Sequence, residues 1–141
     1  MCKRNRVNVI LDLSKDWASQ TLPQLPKSDK TFVAWDWSQD GKKLIGTFTD
    51  GQIGYYSFET NRYERVDTKI GGYPMWLPDG SRYICLSDSK GFLGDISTKG
   101  AREILALRDA QIHGIAISRD GQFIYFSAYT TESDIWLLDL Q

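Results

Sequence analysis

The sequence predicts an all-β chain built from repeated four-stranded antiparallel units, and three observations lead to this prediction. An Asp-Gly pair recurs about every forty residues, in the stretches "WSQDGKK", "WLPDGSR" and "ISRDGQF". Short runs rich in aromatic and β-branched residues lie on both sides of each pair, which is the pattern of a strand, a turn and a second strand. Gly, Pro or polar turns interrupt the chain too often for helices, apart from "TKGAREILALRDAQ". There residues 102–108 fit a strand or a short helix, and the repeat register favours the strand.

The repeated Asp-Gly pair is predicted to be the turn between the first and second strands of each unit. Glycine adopts a positive φ without steric cost, and an aspartate side chain binds neighbouring backbone N–H groups. Pro78 suits the first central position of the second turn, because its φ is fixed. The predicted turn residues are Asp40, Gly41, Asp79, Gly80, Asp120 and Gly121.

Each unit continues beyond its first hairpin. A polar loop leads to a third strand ("IGYYSF", "FLGDI", "DIWLLDL"), and a further turn leads to a weaker fourth strand ("YERV", "AREILAL"). Four short antiparallel strands about every forty residues are typical of a β-propeller blade. We therefore predict a partial β-propeller with blades at residues 31–70, 71–108 and 109–141, the last lacking its outermost strand. Residues 1–22 are predicted to be the last two strands of an incomplete blade, and residues 23–30 a linker.

Composition excludes several classes of function. Seventeen basic and eighteen acidic residues leave a net charge of −1, so a nucleic-acid partner is not expected. Cys2 and Cys85 lie in different settings and do not form a disulfide framework. The apolar run "VNVILDL" is too short for a membrane span or for the core of an export signal. We expect a soluble chain without a membrane segment, and its compartment stays open.

Known catalytic and metal-binding patterns are missing from the sequence. Gly-x-Ser-x-Gly does not occur, and Ser38 and Ser118 stand at turn starts, where serine is common. One histidine and two distant cysteines do not make a zinc site, and no calcium-binding loop or phosphate-binding loop is present. We predict no catalytic residue, no metal and no cofactor, and therefore no enzymatic activity.

A ligand site is expected at one end of the central channel. In propellers the inner strands line this channel, and the loops entering them share one face with the loops between second and third strands. Aromatic and acidic side chains on that face suit a protein, a peptide or a small polar ligand. Two alternatives stay open: Trp35 and Tyr73 only plug the channel and brace the blades, or His113 is a simple turn residue. The candidate ligand-binding residues are Trp35, Tyr73, His113, Asp50, Asp88 and Tyr129.

The stretches "WSQDGKKLIG", "PMWLPDGSRYIC" and "AISRDGQFIYFS" resemble the WD-like propeller repeats of the TolB type over residues 32–140. That core reads as an apolar residue followed by Ser-Pro-Asp-Gly-Lys. The chain departs from it at Gln39, Leu77 and Arg119. The first unit matches at Trp37, Ser38, Asp40, Gly41 and Lys42, the second at Trp76, Pro78, Asp79 and Gly80, and the third at Ser118, Asp120 and Gly121. The resemblance implies an architecture and no particular activity.

A narrower resemblance concerns the order of "QTLPQLP", "FVAWDWSQDGKKL" and "ESDIWLLDLQ". It is similar to the C-terminal propeller of bacterial serine/threonine protein kinases of the eukaryotic type. This implies a module for interaction or sensing, outside the cytoplasm if the kinase is membrane-anchored and cytoplasmic otherwise. The chain carries no kinase motif. The alternative is the propeller of a serine peptidase of the prolyl oligopeptidase or dipeptidyl-peptidase type, which gates access of substrate.

The number of blades leads to a last expectation. Known propellers have four or more blades, and this sequence supplies about three. The chain is therefore expected to be the C-terminal fragment of a longer protein, and to self-associate through open blade edges if it is produced alone.

Overall fold

The strands of the structure follow the repeat of the sequence. A computed structural model describes residues 8–66 and 70–130. The first set of strands is β1 Phe32–Trp37, β2 Lys43–Phe48, β3 Ile53–Ser57 and β4 Arg62–Arg65. The second set is β5 Tyr73–Trp76, β6 Arg82–Ser87, β7 Lys90–Asp95 and β8 Gly100–Ala106. The third set is β9 Gln111–Ile117 and β10 Ile124–Tyr129.

The sheets are antiparallel and their strands are ordered as in the chain. Strands β1 to β4 form one four-stranded sheet, blade 1, and β5 to β8 form a second, blade 2. Strands β9 and β10 form a hairpin, blade 3. This confirms the prediction of an all-β, partial propeller fold, and β8 confirms that residues 100–106 form a strand rather than a helix. The predicted third strand of the last blade, "DIWLLDL", lies outside the described residues.

Alternate residues of each second strand pack on opposite faces of the blade, as the period of two requires. The forward face carries the fourth residue after the turn glycine, which is Ile45 in blade 1 and Ile84 in blade 2. The rear face carries the third, which is Leu44 in blade 1 and Tyr83 in blade 2. The forward face of blade 1 meets the rear face of blade 2 in a cluster of Ile45, Ile53, Val66, Trp76, Tyr83 and Cys85.

A second interface of the same kind joins blades 2 and 3. Ile84 and Leu86 on the forward face of blade 2 belong to one cluster with Leu77. Isoleucines of β9 pack against that cluster, namely Ile112, Ile115 and Ile117. Burial on both faces explains why the second strands of blades 1 and 2 read as almost continuous apolar runs.

Two polar contacts join the first two blades beside this apolar interface. The Asp36 carboxylate accepts the backbone N–H of Trp76 at 2.8 Å, and it also accepts the N–H of Trp37 at 2.9 Å. The Lys43 ammonium donates to the carbonyl of Gly80 at 3.1 Å. Charge-assisted bonds of this kind fix the relative position of two neighbouring sheets.

The first and third Asp-Gly turns share one set of hydrogen bonds. Ser38 Oγ donates to Asp40 Oδ1 at 2.6 Å and accepts the N–H of Lys43 at 2.8 Å. Ser118 Oγ donates to Asp120 Oδ1 at the same 2.6 Å and accepts the N–H of Phe123 at 2.9 Å. In both turns the serine hydroxyl is the main reason why the pKa of the aspartate is lowered.

The second turn reaches the same shape by other contacts, because Leu77 replaces the serine. Asp79 Oδ1 accepts the N–H groups of Ser81 and Arg82 at 2.9 and 2.8 Å, and Asp79 Oδ2 accepts Arg82 Nε at 2.6 Å. Desolvation raises the pKa of Asp79, but these bonds outweigh it and lower the pKa to about 2. The three turn glycines have φ values of +73, +66 and +70°, which glycine adopts without strain.

The N-terminal segment, residues 8–31, differs from the predicted pair of strands, and we call it the strap. Its described residues contain one isolated bridge, Val9 to Gln24, and a 3₁₀ turn, Trp17–Ser19. Asp12 and Asp16 accept the N–H groups of Ser14 and Ser19 at 3.0 and 2.9 Å. Such local bonds satisfy the backbone without a sheet, and prolines 23 and 26 have no N–H to offer a ladder.

The strap lies on the rear face of blade 1. Leu25 packs against the cluster of Phe32, Leu44, Phe48 and Tyr56. Tyr63 Oη donates to the carbonyl of Pro26, and Asn8 Nδ2 donates to the carbonyl of Phe32, both at 2.8 Å. The strap therefore covers the face that another blade covers in blades 2 and 3.

Candidate ligand-binding rim

One end of the inner strands carries the loops expected to form a rim. The N–H of Thr49, after β2, donates to the carbonyl of Thr31, just before β1, at 2.9 Å. The N–H of Ile112 in β9 donates to the carbonyl of Asp88, in the turn between β6 and β7, at 3.3 Å. The segments that lead into the inner strands β1 and β9 thus lie beside the segments that follow the second strands β2 and β6. We call the surface formed by these two kinds of segment the rim.

Trp35 and Tyr73 form an exposed aromatic pair at the inner strands of blades 1 and 2. Their rings meet edge to face, with centroids 4.7 Å apart and planes at 83°. Trp35 interrupts the register of β1 with β2, and its Nε1–H donates to Thr47 Oγ1 at 2.8 Å. Both rings stay about half exposed or more, so the pair offers apolar surface to a ligand while the indole N–H is satisfied.

Asp88, His113 and Tyr129 come together at the rim between blades 2 and 3. Tyr129 lines two open depressions at once. The larger, about 520 Å³, also contains Asp88, Asp109 and Gln111. The other, about 450 Å³, contains His113. The rings of His113 and Tyr129 are 6.2 Å apart, so the two depressions share an aromatic wall.

Backbone irregularities shape this part of the rim. The register of β10 with β9 shifts between Phe126 and Ala128, and Gly114 opposite the shift has φ of +84°. Tyr129 Oη donates to Gln111 Oε1 at 2.6 Å and is fixed at the boundary of the two depressions. Asp88 and Asp109 both have a left-handed backbone, with φ of 54 and 57°, a conformation that aspartate tolerates better than most residues and that recurs at binding sites.

Asp50 does not join this group. Its carboxylate pairs with Arg65 at 3.0 Å, and Arg65 also pairs with Asp29 of the strap at 3.0 Å. Desolvation raises the pKa of Asp50, but the N–H of Gln52 and the Arg65 guanidinium outweigh it and lower the pKa. Arg65 further lies over the ring of Phe48, at 4.0 Å from its centroid. The Asp50 carboxylate is therefore already engaged in a group of charges that connects blade 1 with the strap.

Asp88 and Asp109 differ from Asp50 in having no ion pair within the described parts of the chain. Sequence reasoning did not select Asp109, although it stands in a segment that enters an inner strand, one of the two loop classes expected at the rim. Its repeat equivalent, eighty positions earlier, is Asp29, which already has Arg65 as a partner.

A smaller depression, of about 160 Å³, lies at the opposite end of the inner strands. It is lined by residues of all three blades, including Trp37, Trp76 and Arg119. The buried Nε1–H of Trp76 has no hydrogen-bond acceptor among the described residues. Asp36, which also lines it, already accepts two backbone N–H groups, that of Trp37 in its own strand and that of Trp76 in blade 2.

Three further features of the described residues concern metal binding, the Cys85 thiol and membrane insertion. Over residues 8–66 and 70–130, no three or more His, Cys, Asp or Glu side chains are grouped so that they would hold a metal ion. Desolvation raises the pKa of the buried Cys85 thiol to about 12, so it is not a nucleophile at neutral pH. In the same residues, no helical segment has the length and apolar character needed to cross a lipid bilayer.

The sequence matches no protein-family model, and no curated protein matches it significantly.

Proposed function

We propose that the chain is a non-catalytic propeller module that binds a protein or peptide at the rim. The observation that carries this proposal is the pair of carboxylates, Asp88 and Asp109, in one depression of about 520 Å³ walled by Tyr129. Neither carboxylate has a salt-bridge partner among the described residues. The resemblance to propeller modules that serve interaction or sensing supports the same proposal.

The chemistry of the rim favours a basic side chain in the ligand. Two carboxylates without an ion-pair partner in residues 8–66 and 70–130 attract a lysine or arginine, and the face of an aromatic ring adds a cation–π attraction of about 0.5–1 kcal/mol at an exposed site. Trp35 and Tyr73 supply further aromatic surface at the inner strands. A peptide with one basic residue beside apolar ones matches this arrangement of charges and rings.

The proposal is tested with fluorescent peptides in which Lys, Arg, Glu or Ala occupies the centre of a fixed Gly/Ser and Leu frame. Fluorescence anisotropy should detect the Lys or Arg peptides and not the Glu peptide, and added salt should weaken binding because exposed charges are screened. Asp88→Asn and Asp109→Asn should each weaken binding about 5-fold to 30-fold, as loss of one charge partner does at an interface.

The matched control is Glu59→Gln. Glu59 pairs with Lys42 at 2.7 Å beside the first Asp-Gly turn, away from the rim, so this change removes an equal charge without changing affinity. Equal loss of binding in all three variants would show a non-specific charge effect and contradict the rim site. Cleaved peptides in the mixture, detected by mass spectrometry, would contradict a non-catalytic role.

A further inference from the structure

The forward face of blade 3 is exposed among the described residues, whereas the forward faces of blades 1 and 2 are covered by the next blade. The fourth residue after the turn glycine is Ile45 in blade 1, Ile84 in blade 2 and Tyr125 in blade 3. Ile45 is 0% exposed, Ile84 is 2% exposed and Tyr125 is 72% exposed. The next blade thus buries this repeat position in blades 1 and 2, whereas in blade 3 the position is exposed.

The neighbouring position on the same face gives a second contrast. The second residue after the turn glycine is Lys43 in blade 1, Arg82 in blade 2 and Phe123 in blade 3. Lys43 and Arg82 form polar contacts with Gly80 and Asp79. Phe123 is 70% exposed. At this position the open face carries an apolar residue where the two covered faces carry a charged one, and large exposed aromatic side chains in one patch mark an interaction surface.

The two interfaces inside the chain indicate what covers such a face. Both join a forward face to the rear part of the following blade, in the clusters around Ile45 and around Ile84. Among the described blades, blade 1 has the one rear face that no blade covers, and the strap lies on it instead. We infer that a second copy of this chain docks the rear face of its blade 1 onto the forward face of blade 3, and that the strap competes for that rear face.

The strap is held lightly enough to be displaced. Its contacts with blade 1 among the described residues include the packing of Leu25, two side-chain hydrogen bonds at 2.8 Å, and the Asp29–Arg65 pair. At its junction with β1, the carbonyl of Thr31 also accepts the N–H of Thr49 at 2.9 Å. Its residues 11–19 are all exposed. When the strap leaves, the rear face of blade 1 would receive the forward face of blade 3 of the other copy, so docking repeats the forward-to-rear interface that the chain already forms twice.

The test is the dimerisation constant of the full chain, measured by sedimentation velocity and by light scattering over a wide range of concentration. The wild-type chain should shift from monomer to dimer as the protein concentration rises. Tyr125→Lys should weaken association at least about tenfold, as the loss of a central aromatic anchor does. Tyr63→Phe removes the hydroxyl that holds Pro26 and keeps the ring, so it should strengthen association about 2-fold to 5-fold, the equivalent of one hydrogen bond.

Ile104→Lys is the matched control, since Ile104 is an exposed apolar residue on β8 away from the forward face of blade 3, and it should leave association unchanged. Far-UV circular dichroism checks each fold, and Tyr125→Ser replaces Tyr125→Lys if the latter is unfolded. A wild-type chain that stays single at every concentration would overturn the inference. So would equal weakening by Ile104→Lys, or a Tyr63→Phe variant that associates as the wild type does, since the strap would then not compete.

Discussion

Blades 1 and 2 differ from blade 3 in burial, although the three carry the same turn. Ser38 in the first turn is buried, whereas Ser118 in the third is only partly buried, yet each hydroxyl forms the same two hydrogen bonds. Tyr125 is open where Ile45 and Ile84 are enclosed. The hairpin is therefore set by local contacts in the turn, while burial depends on the sheet that lies against it.

The largest effect on stability is expected at the enclosed position of blade 2, Ile84. Ile84→Ala should lower the free energy of unfolding by about 2–5 kcal/mol, because it removes buried methyl groups and leaves a cavity. Tyr125→Ala should change it by less than about 0.5 kcal/mol, as exposed sites do. Urea denaturation at low protein concentration measures both. Similar losses at the two positions would mean that blade 3 is as enclosed as blade 2.

The next effect tests the turn itself. Gly80 has φ of +66°, and a β-branched residue resists this conformation, so Gly80→Val should cost about 1–3 kcal/mol. Gly100→Val, at the start of β8, is the control because no positive φ is found there and valine favours strands. Thermal melting that moves as much for Gly100→Val as for Gly80→Val would remove the turn assignment.

A smaller effect compares the two serine turns directly. Ser38→Ala should cost about 1–2 kcal/mol, because the partly buried N–H of Lys43 and the Asp40 carboxylate both lose a partner. Ser118→Ala should cost less, since water reaches the exposed third turn and replaces the hydroxyl. Chemical denaturation of both variants measures the difference. Equal costs would show that the surroundings of the two turns do not differ.

The smallest effect concerns acid stability of the second turn. Its Asp79 has a pKa of about 2 in the folded chain, below the ordinary 3.8. A depressed pKa stabilises the fold above the unfolded pKa, and this contribution is lost as pH falls from about 4 towards 2. Asp79→Asn should therefore flatten the decline of stability in that range, measured by denaturation at each pH. An unchanged decline would mean that Asp79 is not the group responsible.

Much of the fold could be predicted because the relevant contacts are local. The Asp-Gly turns, the hairpins around them and the strand at residues 100–106 follow from residues close in sequence. The strap could not be predicted in the same way. "VNVILDL" has the composition of a strand, but among its described residues, 8–13, only Val9 forms a bridge, to Gln24. A strand needs a partner, and the local bonds of Asp12 and Asp16 compete with it.

The rim could be predicted in part for the same reason. Repeat alignment placed Asp88, His113 and Tyr129 on one face, and the structure brings them to adjoining depressions. Alignment does not reveal which carboxylates have a partner. Asp50, in the turn between β2 and β3, pairs with Arg65 on β4, and that contact depends on the register of β3 with β4. Asp109 has no such partner in the described chain, which distinguishes it from its repeat equivalent Asp29.

Hydrogen exchange tests the difference between the blades most directly. At a concentration low enough for the chain to be monomeric, the amides of β6 should exchange slowly, because both faces of that strand are covered. Amides of β10 should exchange faster by at least about tenfold, since exchange follows local opening and an uncovered face lowers its cost. Slow exchange confined to β2 and β6 is the result predicted here. Equal protection of β6 and β10 in the single chain would contradict it.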